Sequence, residues 1–477
     1  MKKTKVAGIM LGLLAIGYVG SSWYMGTKIE SIVDEQFTNI NQQLNELNAL
    51  IESGDNLYSA IYGDNSFTVS YDNYERGVFS STFDLHVTVN NNRYGSNDEV
   101  LNKKMTIYHG PLSWNSITNG HFTPHMADLS VQIDLPENDV VTVSNGNTIY
   151  TANMFINFDN SIDLVGKSKP FKIIKSYYNK NNYTQLEFSK STLKTSINKS
   201  YFEKINFSMG NIKFEDKTSY SKNIVNVNDI DLELHTNVVT ILEGIIKTNL
   251  TINNIDININ DNKSKIDHII STNDVIIKDY YITNESELSI KNILVGGHNL
   301  GKFEMSGSTQ HLFDQLDGVD MTTPNGWLNF IKNPLLNLIK YNISNISLKN
   351  KKGILEGNLN ITFNEDYQAI NFDIGNIQTL TSHLSLPMEP LAYFVSQIKD
   401  IQQNTNKSKI SDDDIANTKE ELKEYFILFN DNSSTPLIMN DDGIFMDLDF
   451  NENSDEATIN GKQVNSNDFW KELRLKY

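Results

Sequence analysis

Cysteine is absent from this sequence of 477 residues. Its absence excludes disulfide bonds, thiolate metal sites, a cysteine nucleophile and a lipid anchor attached to cysteine. It does not assign a compartment, because exported and cytosolic proteins alike can lack cysteine. The sequence also lacks a G-x-S-x-G elbow, a G-x-x-x-x-G-K-[ST] loop and a G-x-G-x-x-G turn. We therefore predict no catalytic, cofactor-binding or metal-binding residue, and no cofactor.

Positive charge is scarce. Lysine and arginine number 40 against 59 aspartates and glutamates, so the formal net charge is −19. An acidic surface repels phosphate backbones, which predicts that nucleic acid is not a partner. Hydrophobic residues still make up 39% of the chain, enough to form a folded core, so disorder throughout is not expected.

Long apolar runs are also rare, and a single stretch approaches the length needed to cross a membrane. Three lysines within the first five residues precede an apolar run from Val6 to about Met25, and Trp23 and Tyr24 lie at its far end. About 20 apolar residues span the hydrocarbon core, lysines favour the cytoplasmic side, and aromatic rings favour the headgroup zone. The pattern predicts a cytoplasmic tail over 1–5, a transmembrane helix over 6–26, and export of the rest.

A cleaved signal peptide is the alternative interpretation of this segment. Gly20, Ser21 and Ser22 supply small residues near a cleavage position, but no A-x-A pattern follows and the run is long for a signal core. Gly8 and Gly12 form a small-xxx-small pair that permits close helix pairing and a dimer. The competing explanation is that glycine is simply frequent in membrane helices.

In the part predicted to be exported, the spacing of apolar residues changes from a helical period to a strand period. Residues 27–52 carry apolar side chains at three- and four-residue steps, which predicts an amphipathic stalk helix whose stripe is covered by a partner helix or by the domain itself. Alternating apolar and polar residues then predict antiparallel strands with Asn-, Asp- and Gly-rich turns. Helices are expected at Trp327–Ile339, around 391–398, after Ser411, and over 466–475.

The predicted fold is therefore mainly β. It consists of a transmembrane helix and a stalk helix, an elongated antiparallel β-sheet domain, and a small helical subdomain near the C-terminus. The predicted boundaries are 53–325 for the β-rich body, 326–430 for a mixed helix and strand region, and 431–477 for a terminal hairpin and tail.

Two groups of polar residues have a weak resemblance to metal sites. They are His109, His121 and His125, and Asp447, Asp449 and Asn451. The histidines lack the H-E-x-x-H spacing of zinc enzymes, and unrelated loop or core histidines explain them more simply. The second group alternates along one strand face, where a solvated surface is the simpler interpretation than a calcium site.

Several short segments stand out along the chain: the Lys-rich N-terminus and the anchor ending at Gly26–Glu30, the run Tyr71–Ser81, His109-Gly110-Pro111, Leu300-Gly301 with Gln310–Leu312, and Ile459–Lys462 leading to Asp468-Phe469. Together these segments resemble the YdgA/YihF family of bacterial inner-membrane-anchored proteins of unknown function. The residues singled out are Tyr71, Tyr74, Glu75, Arg76, Gly77, Val78, Phe79, Ser80, His109, Gly110, Pro111 and Gly461. The resemblance implies a periplasmic location and self-association, and it offers no catalytic residues.

The run Tyr71–Ser81 also has a structural interpretation. We expect a hairpin turn with Glu75 and Arg76 as a local ion pair and with Gly77 at positive φ. Tyr71, Tyr74 and Phe79 are expected to pack around that turn.

Three functional hypotheses remain open from the sequence. In the first, the exported sheet is a non-enzymatic binding or envelope-maintenance domain that contacts an envelope protein or holds a lipid-like ligand in an apolar groove. A loose fold-level likeness to AsmA-type envelope proteins also suggests this. In the second, two unidentified carboxylates hydrolyse envelope glycans. In the third, the chain is a structural dimer. A sheet that closes into its own core would remove the groove.

Overall fold

The computed structural model describes residues 18–35, 37–38, 41, 44–45, 65–91, 96–118, 122–134, 141–143, 148–176, 182–198, 201–240, 243–260, 262–278, 281–312, 338–364, 376–403, 409–432 and 437–473. The predicted cytoplasmic tail, most of the predicted membrane segment with Gly8 and Gly12, and His121 lie outside these ranges. Within them, no helix is both long and apolar enough to cross a membrane.

The described chain is mainly β, as predicted, and its strands form one antiparallel sheet. The strands are β1 (Asn65–Arg76), β2 (Ser80–Asn91), β3 (Ser96–His109), β4 (Ala127–Asp134), β5 (Val141–Val143), β6 (Thr148–Ile156), β7 (Ile162–Ser168), β8 (Phe171–Ser176), β9 (Tyr183–Phe188), β10 (Ser191–Asn198), β11 (Tyr201–Lys217), β12 (Lys222–Thr240), β13 (Glu243–Ile259), β14 (Asn262–Lys278), β15 (Tyr281–Val295), β16 (His298–Leu312), β17 (Leu338–Asn350), β18 (Gly353–Phe363), β19 (Ile377–Pro387), β20 (Ile438–Asn440), β21 (Gly443–Asn451), β22 (Glu456–Ile459) and β23 (Lys462–Asn465).

Helices are few. They are α1 (18–35), α2 (Trp114–Thr118), α3 (Met388–Gln403), α4 (Asp412–Asn432) and α5 (Ser466–Leu473). The helices predicted around 391–398 and after Ser411 are confirmed. Ser411 caps α4, because the Asp414 amide donates to its hydroxyl at 3.1 Å and its own amide donates to the Asp414 carboxylate at 3.0 Å.

One helix prediction is wrong where it can be compared. Leu338 and Ile339, the last residues of the predicted helix Trp327–Ile339, belong to strand β17, and the rest of that prediction lies outside the described residues. The alternation that continues through Tyr341 and Ile343 fits a strand better than a helix, and pairing with β16 stabilises it.

The sheet is a long meander. From β10 to β19 each strand pairs with the next one along the chain, and β19 then pairs with β21. Toward the N-terminus the order continues through β7, β6, β4, β3, β2 and β1. The central strands are long: β12 has 19 residues, about 60 Å at roughly 3.3 Å per residue.

One line of residues across the central strands is left out of the regular pairing. The pairing of β11 to β15 skips one residue at the same level on each strand, namely Gly210, Asp229, Asn253, His268 and Lys291. Asp229 and His268 have φ of 49° and 53°, and the Asn253 amide donates to Asp229 at 3.0 Å. Because each strand skips one residue at this level, the pairing keeps the same register on both sides of it.

Two hydrophobic cores lie at the two ends of the sheet, and a smaller cluster packs α3 against α4. One joins α1 to β1–β4, β6 and β7 around the buried side chains of Ile29, Phe83 and Ile107. The other joins β18, β19, β21 and β22 to α5 around Phe363 and Phe469. The sheet is thus held by helices at its ends.

Helix α3 is fastened to the turns of the sheet by buried polar contacts. The imidazole of His298 contacts the Asp400 carboxylate at 2.8 Å, and the Gln397 amide donates to the Asn299 carbonyl at 2.9 Å. Asn350 donates to the carbonyl of Pro390 at 2.9 Å. These contacts dock the small helical subdomain on the β15–β16 and β17–β18 turns.

Candidate functional site: an apolar face of the central sheet

Strict alternation gives the central strands two chemically different faces. On β13, Leu250 and Ile252 point to one side, and Asn249 and Thr251 point to the other. The in-register pairing extends this difference across the sheet, because residues directly opposite each other share a face.

Two rows of apolar side chains cross the central strands on that first face. The first row is Met209, Ile230, Ile252, Ile269, Ile290, Phe303, Leu348 and Leu355, one residue from each strand from β11 to β18. The second is Leu193, Phe207, Leu232, Leu250, Ser271, Leu288, Met305 and Ile346, interrupted by a single serine. Seven steps of about 4.8 Å make the first row about 34 Å long.

This apolar face is incompletely covered by the described residues. Its central side chains are half-buried, Ile346 is 39% exposed, and the described helices α3–α5 pack mainly against β16 and β18–β23. Neighbouring side chains on one face of a sheet shield one another only partly from water. The rows therefore retain apolar area whose removal from water gives about 25 cal/mol per Å².

The opposite face is polar and ionic. A depression of about 450 Å³ there is lined by acidic residues together with His235 and Lys247. Lys247 pairs with Asp274 at 2.5 Å on the neighbouring strand. This face gives the central sheet its solvated side.

Two buried carboxyls outside the apolar face have altered ionisation. Asp128 accepts from the Asn115 amide at 2.6 Å and lies near His125, and these hydrogen bonds lower its pKa despite the opposing effect of burial. Glu215 is contacted by Tyr183 and Lys213, both at 2.9 Å, and by Lys222 at 3.3 Å. Burial opposes its ionisation, but these contacts prevail and lower its pKa to about 2. A glycosidase acid needs a raised pKa, so neither group fits that role.

We expect Glu215→Gln to destabilise the protein at neutral pH by about 2 kcal/mol, because the substitution removes a buried carboxylate with three partners. A lowered pKa means that this stabilisation is complete above about pH 4.5 and disappears as pH falls toward 2. The variant should therefore lose part of the acid dependence of unfolding across that window in chemical denaturation curves. Glu233→Gln, exposed on β12, is the control and should change little. Equal acid dependence in wild type and Glu215→Gln would contradict the assignment.

The conspicuous Tyr71–Ser81 run forms the edge on which α1 docks. The ring of Tyr71 lies 4.6 Å from that of Phe37, and its hydroxyl donates to Asp34, which raises the pKa of Tyr71 to about 12. Arg76 pairs with Glu30 at 3.6 Å, so its ion pair connects the hairpin to the helix.

The turn of this hairpin differs from expectation. Gly77, in the turn, is not at positive φ, so that prediction is wrong. The left-handed residue is Asn73, with φ of 51°, and it lies within β1, where the register shifts between Asp72 and Glu75. Gly77 instead permits a close approach, because a Cβ there would lie 2.8 Å from the Ser80 carbonyl oxygen. Glu75 is exposed, and Ser80 opens β2 opposite Tyr108. The hairpin of β1 and β2 itself is confirmed.

The His109-Gly110-Pro111 segment lies along α1. His109 is buried, and its Nε2 is 3.0 Å from the Ser81 hydroxyl, which accepts from Tyr74 at 2.9 Å. Burial lowers the pKa of His109. A Cβ on Gly26 would lie 2.6 Å from the His109 ring, and one on Gly110 would lie 2.6 Å from the Ser22 hydroxyl.

The buried stripe of α1 therefore consists of Ser22, Gly26, Ile29 and Val33, at four- and three-residue steps. The domain itself covers this part of the predicted stalk stripe. Ser22, which also fits the alternative of a signal-peptide cleavage site, is fully buried beside Gly110. In the sequence, the small side chains of Ser22 and Gly26 were the available signal that another chain segment packs closely against this helix.

The remaining predicted residues occupy structural positions. Pro111 accepts from the His125 amide at 3.1 Å, and His125 is buried against Ser116 at 2.9 Å. Asp447 contacts His383 at 2.6 Å, and Gly461 has φ of 76° in the turn between β22 and β23. No group of three or more His, Asp or Glu residues in the described part of the chain is arranged to hold a metal ion.

Three curated proteins have sequences similar to this chain. No solved structure matches it. Protein YdgA of Escherichia coli K12 is 28% identical over 34% of this chain and 31% of its own length. An uncharacterized protein of Haemophilus influenzae is 25% identical over 41% of this chain and 49% of its own, and the uncharacterized protein YihF of E. coli is 26% identical over 28% and 25%. The chain thus spans half or less of the curated relatives it matches. The family model of bacterial proteins of unknown function, DUF945, matches residues 1–317, and the chain belongs to that family.

Proposed function

We propose that this chain is an inner-membrane-anchored periplasmic protein that holds the acyl part of a lipid-like ligand against the apolar face of its central sheet. The single observation that carries the proposal is the pair of apolar rows, each of which crosses eight strands and most of whose side chains are only half-buried. An acyl chain laid on these rows would bury both itself and the sheet, at about 0.8 kcal/mol per CH₂.

The location has separate support. The three lysines and the apolar run of residues 6–25 stand at the start of the sequence, and the run overlaps α1, whose buried stripe packs this part of the chain against the domain. An anchor so fastened would keep the sheet close to the bilayer. The glycan-hydrolase alternative has less support, because two of the buried carboxyls in the described residues, Asp128 and Glu215, have lowered pKa values.

Photo-cross-linking in cells tests the proposal on the intact chain. A benzophenone amino acid replaces Leu250 on the apolar face, and the matched control replaces the neighbouring Asn249 on the polar face of β13. Cells grown with radiolabelled acetate carry the label in their acyl chains. We expect labelled, protease-resistant adducts at position 250 and few at position 249.

Two results would overturn the proposal. Equal labelling at both positions would mean nonspecific contact with membrane lipid. A cross-link from position 250 to the protein's own chain, without acyl label, would mean that the apolar face is closed by the chain itself.

A further inference from the structure

The loops beside the start of α1 carry an unusual group of exposed apolar side chains. Val78 is 41% exposed, Phe79 48%, Trp114 76%, Ile117 38% and Phe122 69%. We call these five residues the tip surface. Soluble surfaces seldom cluster large apolar groups in this way without a partner.

Two chain segments place the tip surface at the N-terminal end of α1. Along the β1 hairpin, Tyr71 contacts Asp34, Arg76 pairs with Glu30, and Phe79 stacks on Tyr18 with ring centroids 6.0 Å apart. The contacts thus move toward lower residue numbers of α1 as the hairpin proceeds, and the hairpin ends beside the first described residue of the helix.

The second segment runs the same way. His109 lies against Gly26, Gly110 against Ser22, and the Leu112 carbonyl accepts from the Tyr18 hydroxyl at 2.9 Å. Trp114, Ile117 and Phe122 follow, before the His125 amide returns the chain to Pro111 at 3.1 Å. Both segments therefore reach the N-terminal end of α1, which the apolar residues 6–17 precede in the sequence.

The segments that carry the tip surface lack charged residues, which suits contact with the headgroup zone of an anionic membrane. In a chain with net charge −19, no charged residue occurs between Arg76 and Asp84 or between Lys104 and Asp128. Acidic groups are repelled by anionic headgroups, and tryptophan favours the interfacial zone. On α1 itself, Trp23 and Tyr24 are 52% and 58% exposed.

We propose that the tip surface inserts into the outer-leaflet interface of the same bilayer that the N-terminal segment enters, and so seats the β domain on the membrane. The occupant is the phospholipid interface, and continuity with the apolar residues before Tyr18 identifies it. The proposal rests on the membrane anchoring given under the proposed function. With the domain seated, the central sheet would hold a fixed orientation to the bilayer, instead of swinging on a flexible stalk.

The four native tryptophans allow a direct test with the full chain in lipid nanodiscs. Three single-tryptophan variants keep Trp23, Trp114 or Trp470, with the others replaced by phenylalanine. The probe is phosphatidylcholine brominated on its acyl chains, which quenches tryptophan on contact. We expect emission loss at Trp114 comparable to that at Trp23, and little loss at Trp470, in α5 at the opposite end of the strand order.

A further variant tests contact by the tip surface itself. Phe122→Asp in the Trp114-only chain should reduce quenching of Trp114, and the same change in the Trp23-only chain should leave Trp23 quenched. Quenching at Trp23 without quenching at Trp114 would overturn the tip-surface proposal and leave the anchor intact. Absence of quenching at both Trp23 and Trp114 would overturn the membrane anchor as well. Equal quenching at all three tryptophans would show that lipid contact is not specific to the tip surface, and would overturn the proposal.

Discussion

Gly301→Ala is expected to lower the free energy of unfolding by about 3 kcal/mol or more. Gly301 has φ of 124°, a region that L side chains avoid, and it lies where β16 faces β17. A Cβ there would lie 2.2 Å from the carbonyl oxygen of Lys349 and 3.1 Å from the Cα of Asn350. Both are backbone atoms of β17, so the collision is relieved only if the two strands separate.

A second glycine in the same hairpin provides the control. Gly297 has φ of 85°, but no atom lies within 4 Å of the Cβ that alanine would add. Gly297→Ala therefore introduces backbone strain without a clash and should cost about 1 kcal/mol. Urea unfolding of the full-length chain in detergent, followed by circular dichroism, compares the two. Equal effects would show that φ strain, and not the approach of β17, governs Gly301.

Ile29→Ala is the second large effect, and we expect a loss of about 3 kcal/mol. Ile29 is fully buried in the core formed by α1, the β1–β3 hairpins and β4. Truncation removes three carbons and leaves a cavity that the surrounding strands cannot fill without moving. Because this core joins the start of the chain to the domain, the loss should appear as local release of α1.

Hydrogen exchange distinguishes local release from general unfolding. In Ile29→Ala, protection should fall in α1 and β1–β3 and remain in β12–β15, which share no core with Ile29. Lys28 is exposed at the preceding position of the same helix, and Lys28→Ala is the control for helix propensity. Uniform loss of protection along the sheet would contradict an independent core at this end.

The sequence by itself determined the class of fold. Alternation at period two along β12 to β15 leaves little choice but antiparallel strands with one apolar face, because side chains on a strand point alternately to opposite sides. The start of α4 after Ser411 was likewise readable, since local hydrogen bonds decide it. The family was also recognisable from scattered short segments.

Only the tertiary structure decided which residues meet. The register that aligns Ile230, Ile252 and Ile269 into a row depends on matched bulges such as Asp229 and His268, whose positions no single strand reveals. The role of Gly77 and the Arg76–Glu30 pair depended on the approach of chain segments far apart in sequence. Periodicity is a property of one segment, so it predicts elements and faces. Contacts between segments depend on packing, and packing alone showed that α1 docks on the hairpin and that the central apolar face is left half-buried.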